Sequence, residues 1–169
     1  MTLSETRLKD RVRRARTAVG RGTRYGLGKG GMHPHLPHPA FNDRCDCSGF
    51  VAWCLGISRY QADKGKPWST AIRWIETTAI YNDAKGKRLL FTQIPEPVPG
   101  CLVVYPDRIG QGHVAIVATC SIVGGKVKQL GIIDCSSRGK REAINERDGM
   151  FFLSMTKRGI FCVLNEDFA

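Results

Sequence analysis

No stretch of this 169-residue chain approaches the roughly 18 consecutive apolar residues that a membrane helix requires. No internal repeat is present either. The first twenty residues lack the apolar core and small-residue cleavage site of a secretory leader, so the expectation is synthesis in the cytoplasm. Acidic side chains are scarce, at 15 Asp plus Glu against 26 Lys plus Arg, and the net charge is +11. Such a field attracts polyanions: nucleic acid, an anionic lipid surface or a bacterial wall. Aromatic residues are absent before Tyr25, so the basic N-terminal segment has no rings on which a single strand could stack. An even cysteine count is also missing. Seven cysteines leave at least one thiol free in a monomer, and a domain this long does not need a disulfide framework. Cys101, Cys120 and Cys162 lie in apolar stretches, where cysteine acts as a small buried hydrophobe.

What is present reads as one globular domain over residues 1–169, with 42% hydrophobic and 24% charged residues. Thr2 and Glu5 have capping-box spacing, and Leu8, Val12, Ala15 and Val19 follow at helical spacing. That predicts an amphipathic helix over about 2–19, with Arg7, Lys9, Arg11, Arg13, Arg14 and Arg16 on its outer face. Residues 20–44, rich in Gly, Pro and His, read as an ordered loop. A short apolar helix opens at Cys47 and stops at Gly56. Ser69 is a candidate cap for another helix, with Ile72, Ile75 and Ala79 inward. Pro95, Pro97 and Pro99 exclude regular structure. Strands are then expected at 101–105, 113–119, 126–134 and 160–164, with a hairpin turn at Gly124-Gly125. Residues 138–158 are charged, with a short helix expected near 142–147. Helices first and a strand meander afterwards indicate an α+β fold, its antiparallel sheet packed against the Cys47 helix.

The run Asp46-Cys47-Ser48-Gly49-Phe50 carries the chemistry. A thiol at the first turn of a helix faces unpaired N–H groups and the positive end of the dipole, which favour the nucleophilic thiolate. His113 opens an alternating strand, with His113, Ala115 and Val117 on one face. Asp134 ends the next strand, and a hairpin can bring it beside His113. A thiol, a base and a group to orient that base are thus available in order. Asp46 and Ser48 flank the thiol, either shaping the site or capping the helix. His33, His35 and His38 with Cys45 and Cys47 would suit zinc chemically, but prolines stiffen the segment and the spacing matches no common zinc pattern. No metal and no other cofactor is expected.

These segments resemble the NlpC/P60 cysteine peptidases, a papain-like group that cleaves peptidoglycan peptides. Asp46 to Val51 resembles the family's nucleophile motif, and Gly22-Thr23-Arg24-Tyr25-Gly26 with Gly30-Gly31 its glycine-rich approach. Pro99 to Tyr105 resembles its Pro-Gly-Asp-Leu-Val strand, with Cys101 in place of Asp. Gly112 to Val117 resembles its His strand, and Asp134 stands where His is common. The similarity covers about residues 22–137 within a catalytic core of about 22–165.

The resemblance implies a papain-like fold in which Cys47 attacks an amide carbonyl, His113 shuttles the proton and Asp134 holds the tautomer. Tyr25 and the Cys47 N–H would face the oxyanion, with Asp46 and Ser48 beside them. The implied partners are a peptidoglycan peptide and the anionic wall surface, with no specific nucleic acid; the oligomeric state is open. Delivery to the wall would then run through a phage, a lysis route or a secretion machine. Residues 56–98 match no known substrate pattern. Two other readings stay open: a cysteine acyltransferase or other amidase on the same fold, and a basic nucleic-acid-binding or interaction protein with an inert triad.

Overall fold

The computed structural model describes residues 2–60, 73–108, 110–139 and 141–168. Three helices come first: α1 (Glu5–Thr17), α2 (Cys47–Cys54) and α3 (Thr77–Lys85). Two two-residue strands, β1 (Arg24–Tyr25) and β2 (Arg44–Cys45), pair in parallel within the loop ahead of α2. Six strands follow: β3 (Phe91–Ile94), β4 (Leu102–Tyr105), β5 (His113–Val123), β6 (Lys126–Cys135), β7 (Ile144–Asp148) and β8 (Ile160–Leu164). They form one sheet in the order β3-β8-β4-β5-β6-β7, antiparallel throughout. The α+β expectation with an antiparallel sheet holds.

Alternation along the strands divides the core between the two faces of the sheet. Leu102, Val104, Val114, Ile116 and Ile133 point toward α2 and α3. Val103, Ala115, Val117, Ile132 and Phe161 point the other way, under Phe152 of a short 3₁₀ helix, Met150–Leu153. Every side chain of α2 is buried, so it reads as apolar all round rather than striped. Phe50 and Trp53 anchor it at 0% and 2% exposure, each worth about 1.5–3 kcal/mol of apolar burial. The Trp53 indole N–H also donates to the Leu36 carbonyl at 2.8 Å, tying the Pro- and His-rich loop to the nucleophile helix.

Several expectations change. The N-terminal helix is shorter than 2–19, and its cap is Ser4, which makes no side-chain capping bond. The Thr2–Glu5 box does not form, because Leu3 bridges to Phe168 instead. Arg11 is not on the outer face. It is 5% exposed and binds both Asp167 oxygens, at 2.9 and 2.7 Å, and the Gly100 carbonyl at 2.8 Å. Gly100 is required there, since a Cβ would meet the Leu8 carbonyl oxygen at 2.4 Å. Glu76 caps α3 by accepting from the Thr78 and Ala79 N–H groups; Ser69 and Ile72 lie outside the described residues.

The helix expected near 142–147 is instead β7, whose backbone completes the β6 edge from Gly131–Asp148 to Cys135–Ile144. Pairing with a long neighbouring strand overrides the local propensity of that charged run. Strand β3 was not anticipated. It ends at Ile94, just before the prolines, and pairs with β8. Among the described residues no helix is long and apolar enough to cross a membrane.

Candidate active site

The start of α2 is built around Asp46. Its carboxylate caps the helix by accepting from the Gly49 N–H at 2.8 Å and holds the preceding loop through the Gly28 N–H at 2.7 Å. The Arg59 guanidinium grips both oxygens, at 2.7 and 2.8 Å, with both side chains almost fully buried. Arg59 also donates to the Lys29 and Ile75 carbonyls. The carboxylate is thus fully engaged from within, so its observed contacts are those of a helix cap and loop anchor. Gly31 lies against the same turn, where a Cβ would come within 2.3 Å of the Gly49 carbonyl oxygen. Bare backbone on backbone lets the loop approach the thiol.

Cys47 is the first residue of α2, so its N–H has no intrahelical acceptor. Its side chain is buried but reaches the surface at 6% exposure, and the Ser48 hydroxyl lies 3.8 Å from its sulfur. Packing of α2 on β5 and β6 sets the thiol against the start of β5, where His113 stands. The register that places Ile116 opposite Ile133 makes Asp134 a diagonal neighbour of His113 on one face of the hairpin. His113 Nε2 and Asp134 Oδ2 are 2.6 Å apart. The Cys47 thiol lies near enough to strengthen the imidazole's hold on its proton. Since Nε2 is occupied by the carboxylate, Nδ1 is the nitrogen left for sulfur.

Burial alone would strip the His113 proton. The hydrogen bond that the ring donates to Asp134, together with the negative charges of Cys47 and Asp134, outweighs it and raises the imidazole to about 9. Burial likewise pushes the Asp134 carboxyl up. Its bonds to His113 and Arg147 win and hold it below the ordinary carboxylate range. Arg147, from β7, reaches Asp134 with two nitrogens, Nε to Oδ1 at 3.0 Å and a terminal nitrogen to Oδ2 at 2.5 Å. The carboxylate is 0% exposed, so water screens little of its interaction with these partners. His113 further stacks on Phe152, with centroids 5.5 Å apart and planes at 23°, and Tyr105 and Phe151 lie within 6.4 Å. A charged imidazole is favoured over such ring faces.

Tyr25 stands at the rim of the cleft. Its hydroxyl accepts from Gln111 Nε2 at 3.1 Å, and burial with the charge of Cys47 keeps it protonated far above its ordinary range. Its own proton remains available to a ligand. The cleft in front of His113 measures about 260 Å³ and is lined by Tyr25, Gln111, Arg138, Arg147 and Lys157 among others.

The other histidines stand elsewhere. His38 accepts from the Ala40 N–H and pairs with the Thr23 hydroxyl, both at 3.2 Å. His33 and His35 meet edge to face. Among the described residues no group of three or more His, Cys, Asp and Glu could hold a metal ion. All seven cysteines are free thiols.

The structure therefore brings Cys47, His113 and Asp134 together, with Tyr25 and Ser48 adjacent. Sequence reasoning missed Arg147, Arg59 and the Phe151–Phe152 pair. Reading 144–148 as an alternating strand would have placed Arg147 on the Asp134 face. No local signal points Arg59 toward Asp46.

Together these features define an α+β protein with a thiol at a helix start, an imidazole on the facing strand and a buried carboxylate behind it. The family model of the CHAP domain matches residues 39–130, over half of the chain; the chain belongs to the CHAP domain family, in keeping with the NlpC/P60 resemblance. CHAP domains occur in peptidoglycan hydrolases and amidases, and membership implies a hydrolase of peptidoglycan. The match includes Cys47 and His113 and ends before Asp134 and Arg147. No curated protein and no solved structure matches the chain.

Proposed function

We propose that the protein is a cysteine peptidase or amidase that cleaves peptide bonds of bacterial peptidoglycan through an acyl-enzyme, in the papain-like manner of the NlpC/P60 enzymes. The observation that carries this reading is His113, bonded to Asp134 at 2.6 Å and close enough to Cys47 to feel its charge. The Cys47 sulfur attacks the amide carbonyl and forms a thioester. The negative oxygen is received by the Cys47 N–H and the Tyr25 hydroxyl, donors already in place before the charge develops. His113, charged below about pH 9, gives its Nδ1 proton to the departing amine as the C–N bond breaks. The neutral ring then takes a proton from water as the water oxygen attacks the thioester; the C–S bond breaks, the peptide leaves as its carboxylic acid, and Cys47 is restored as a thiolate beside the charged imidazole.

Asp134 keeps Nε2 as the nitrogen that faces the carboxylate, so Nδ1 faces the substrate throughout. Arg147 keeps Asp134 ionised. Asp46 shapes the site indirectly, by fixing the start of α2, while Ser48 stands beside the sulfur.

Mass spectrometry of peptidoglycan digested with the protein and with Cys47→Ala tests this directly. New peptide termini are expected only with the intact thiol. Turnover of a lipid or protein amide, with no new termini in any wall chemotype, would overturn the hydrolase reading in favour of an acyltransferase.

A further inference from the structure

A second cleft, of about 440 Å³, lies beside the first, and the two share Tyr105 and Lys157 as a common wall. It is lined by Lys85 at the end of α3, Arg108 after β4, and Lys157 and Arg158 in the turn before β8. No Asp or Glu lines either cleft among the described residues. None of these four cations has an ion-pair partner there either. The contrast with α1 is sharp. Arg7, Lys9, Arg11, Arg13 and Arg16 are all paired with carboxylates, so the basic helix that the sequence offered to a polyanion is largely neutralised from within.

The cleft cations are placed without being neutralised. Lys85 and Arg108 lie over the Tyr81 ring at 5.3 and 5.4 Å, and Lys157 over Tyr105 at 4.8 Å. Ring faces attract a cation but leave its net charge available, and the bonds that Lys85 donates to the Tyr81 hydroxyl at 3.4 Å and Arg158 Nε to the Met155 carbonyl at 3.1 Å engage neutral acceptors that cancel none of it. Arg158 sits at φ +50°, a conformation non-glycine residues rarely hold, and backbone bonds from residues 157 and 158 to the Ser154 carbonyl fix that turn. Like charges crowded into one concavity repel each other, and a low-dielectric wall focuses their field on whatever enters.

We infer that this cleft is an oxyanion subsite, taking a phosphate or carboxylate group of the wall polymer whose peptide occupies the catalytic cleft. The inference deepens the peptidoglycan reading and rests on it for the source of the anion, while anion affinity itself is independent of the Cys47 chemistry. Because Lys157 belongs to both clefts, a bound anion there also orients the peptide before Cys47.

The test uses the full-length Cys47→Ala protein and two probes, a soluble glycerol-phosphate oligomer and a muropeptide with free carboxylates. Affinities are measured by calorimetry for that protein, for a version also carrying Lys85→Gln, Arg108→Gln and Arg158→Gln, and for a version carrying Lys126→Gln and Lys128→Gln on the distant hairpin. At least one probe is expected to bind and to lose about tenfold in affinity with the cleft substitutions. The hairpin substitutions should leave it unchanged. The probe that loses more identifies the source as phosphodiester or peptide carboxylate. Absence of binding by both probes, no loss with the cleft substitutions, or equal loss with the hairpin substitutions would overturn the subsite. Cleft-dependent binding in a protein whose Cys47 form cleaves no peptidoglycan would overturn the hydrolase reading alone.

Discussion

Replacing Arg147 with Met removes the guanidinium but keeps a flexible apolar stem against Phe151, over whose ring the Arg147 charge now lies at 4.9 Å. Asp134 would lose two of its three observed side-chain bonds with no water to replace them at 0% exposure. Breaking a fully buried ion pair costs about 3–5 kcal/mol, but the Arg147 side chain is 26% exposed and part of its charge is already solvated. A loss of about 2 kcal/mol is therefore expected, or roughly 4–8 °C in Tm for a chain of this length.

The signature that separates this from plain destabilisation is the pH profile of kcat/KM. Arg147 helps hold Asp134 below its ordinary range. Its positive charge also opposes protonation of the whole Cys–His–Asp cluster, so without it both limbs of the bell move to higher pH. Arg147→Lys keeps the charge and loses the two-pronged geometry, so its limbs should move less while its Tm still falls. Hydrolysis of a soluble muropeptide from pH 4 to 10, with thermal melts of each variant, makes the comparison. A Met variant whose profile superimposes on the parent, or whose melting point stays within 1 °C, would refute the assignment.

Three further outcomes follow from the same geometry. His113→Ala should reduce turnover by about 10²–10⁴-fold with the fold retained, the usual worth of a general acid–base; His33→Ala should keep most activity, and equal losses would implicate a metal instead. Iodoacetamide under native conditions should modify Cys47 first, since burial raises the thiols of Cys54, Cys101 and Cys162; peptide mapping that finds one of those ahead of Cys47 would contradict the nucleophile assignment. His113 is raised from 6.5 to about 9 by folding, so its contribution to stability is complete below about pH 6.5 and lost as pH rises through about 9. The urea midpoint should fall over that window, and His113→Ala should flatten the fall.

Residues that act on near neighbours are legible in the sequence alone. Asp46 and Gly49 meet within one helical turn, so the cap and the thiol at the helix start follow from spacing. The Gly124-Gly125 turn joins β5 to β6, and pleat alternation then puts His113 and Asp134 on one face. Backbone hydrogen bonding fixes such geometry within a few residues, and sequence order carries that information. The partners that give the site its electrostatics were not legible in this way. Arg11 and Asp167 lie 156 residues apart, and Arg147 reaches Asp134 only because 144–148 becomes an edge strand rather than a helix. With 26 lysines and arginines in the chain, nothing local distinguishes the cation that meets a buried carboxylate from those left in solvent. That choice, and the ring of Phe152 under His113, depended on how distant strands pair and which side chains their packing closes off from water.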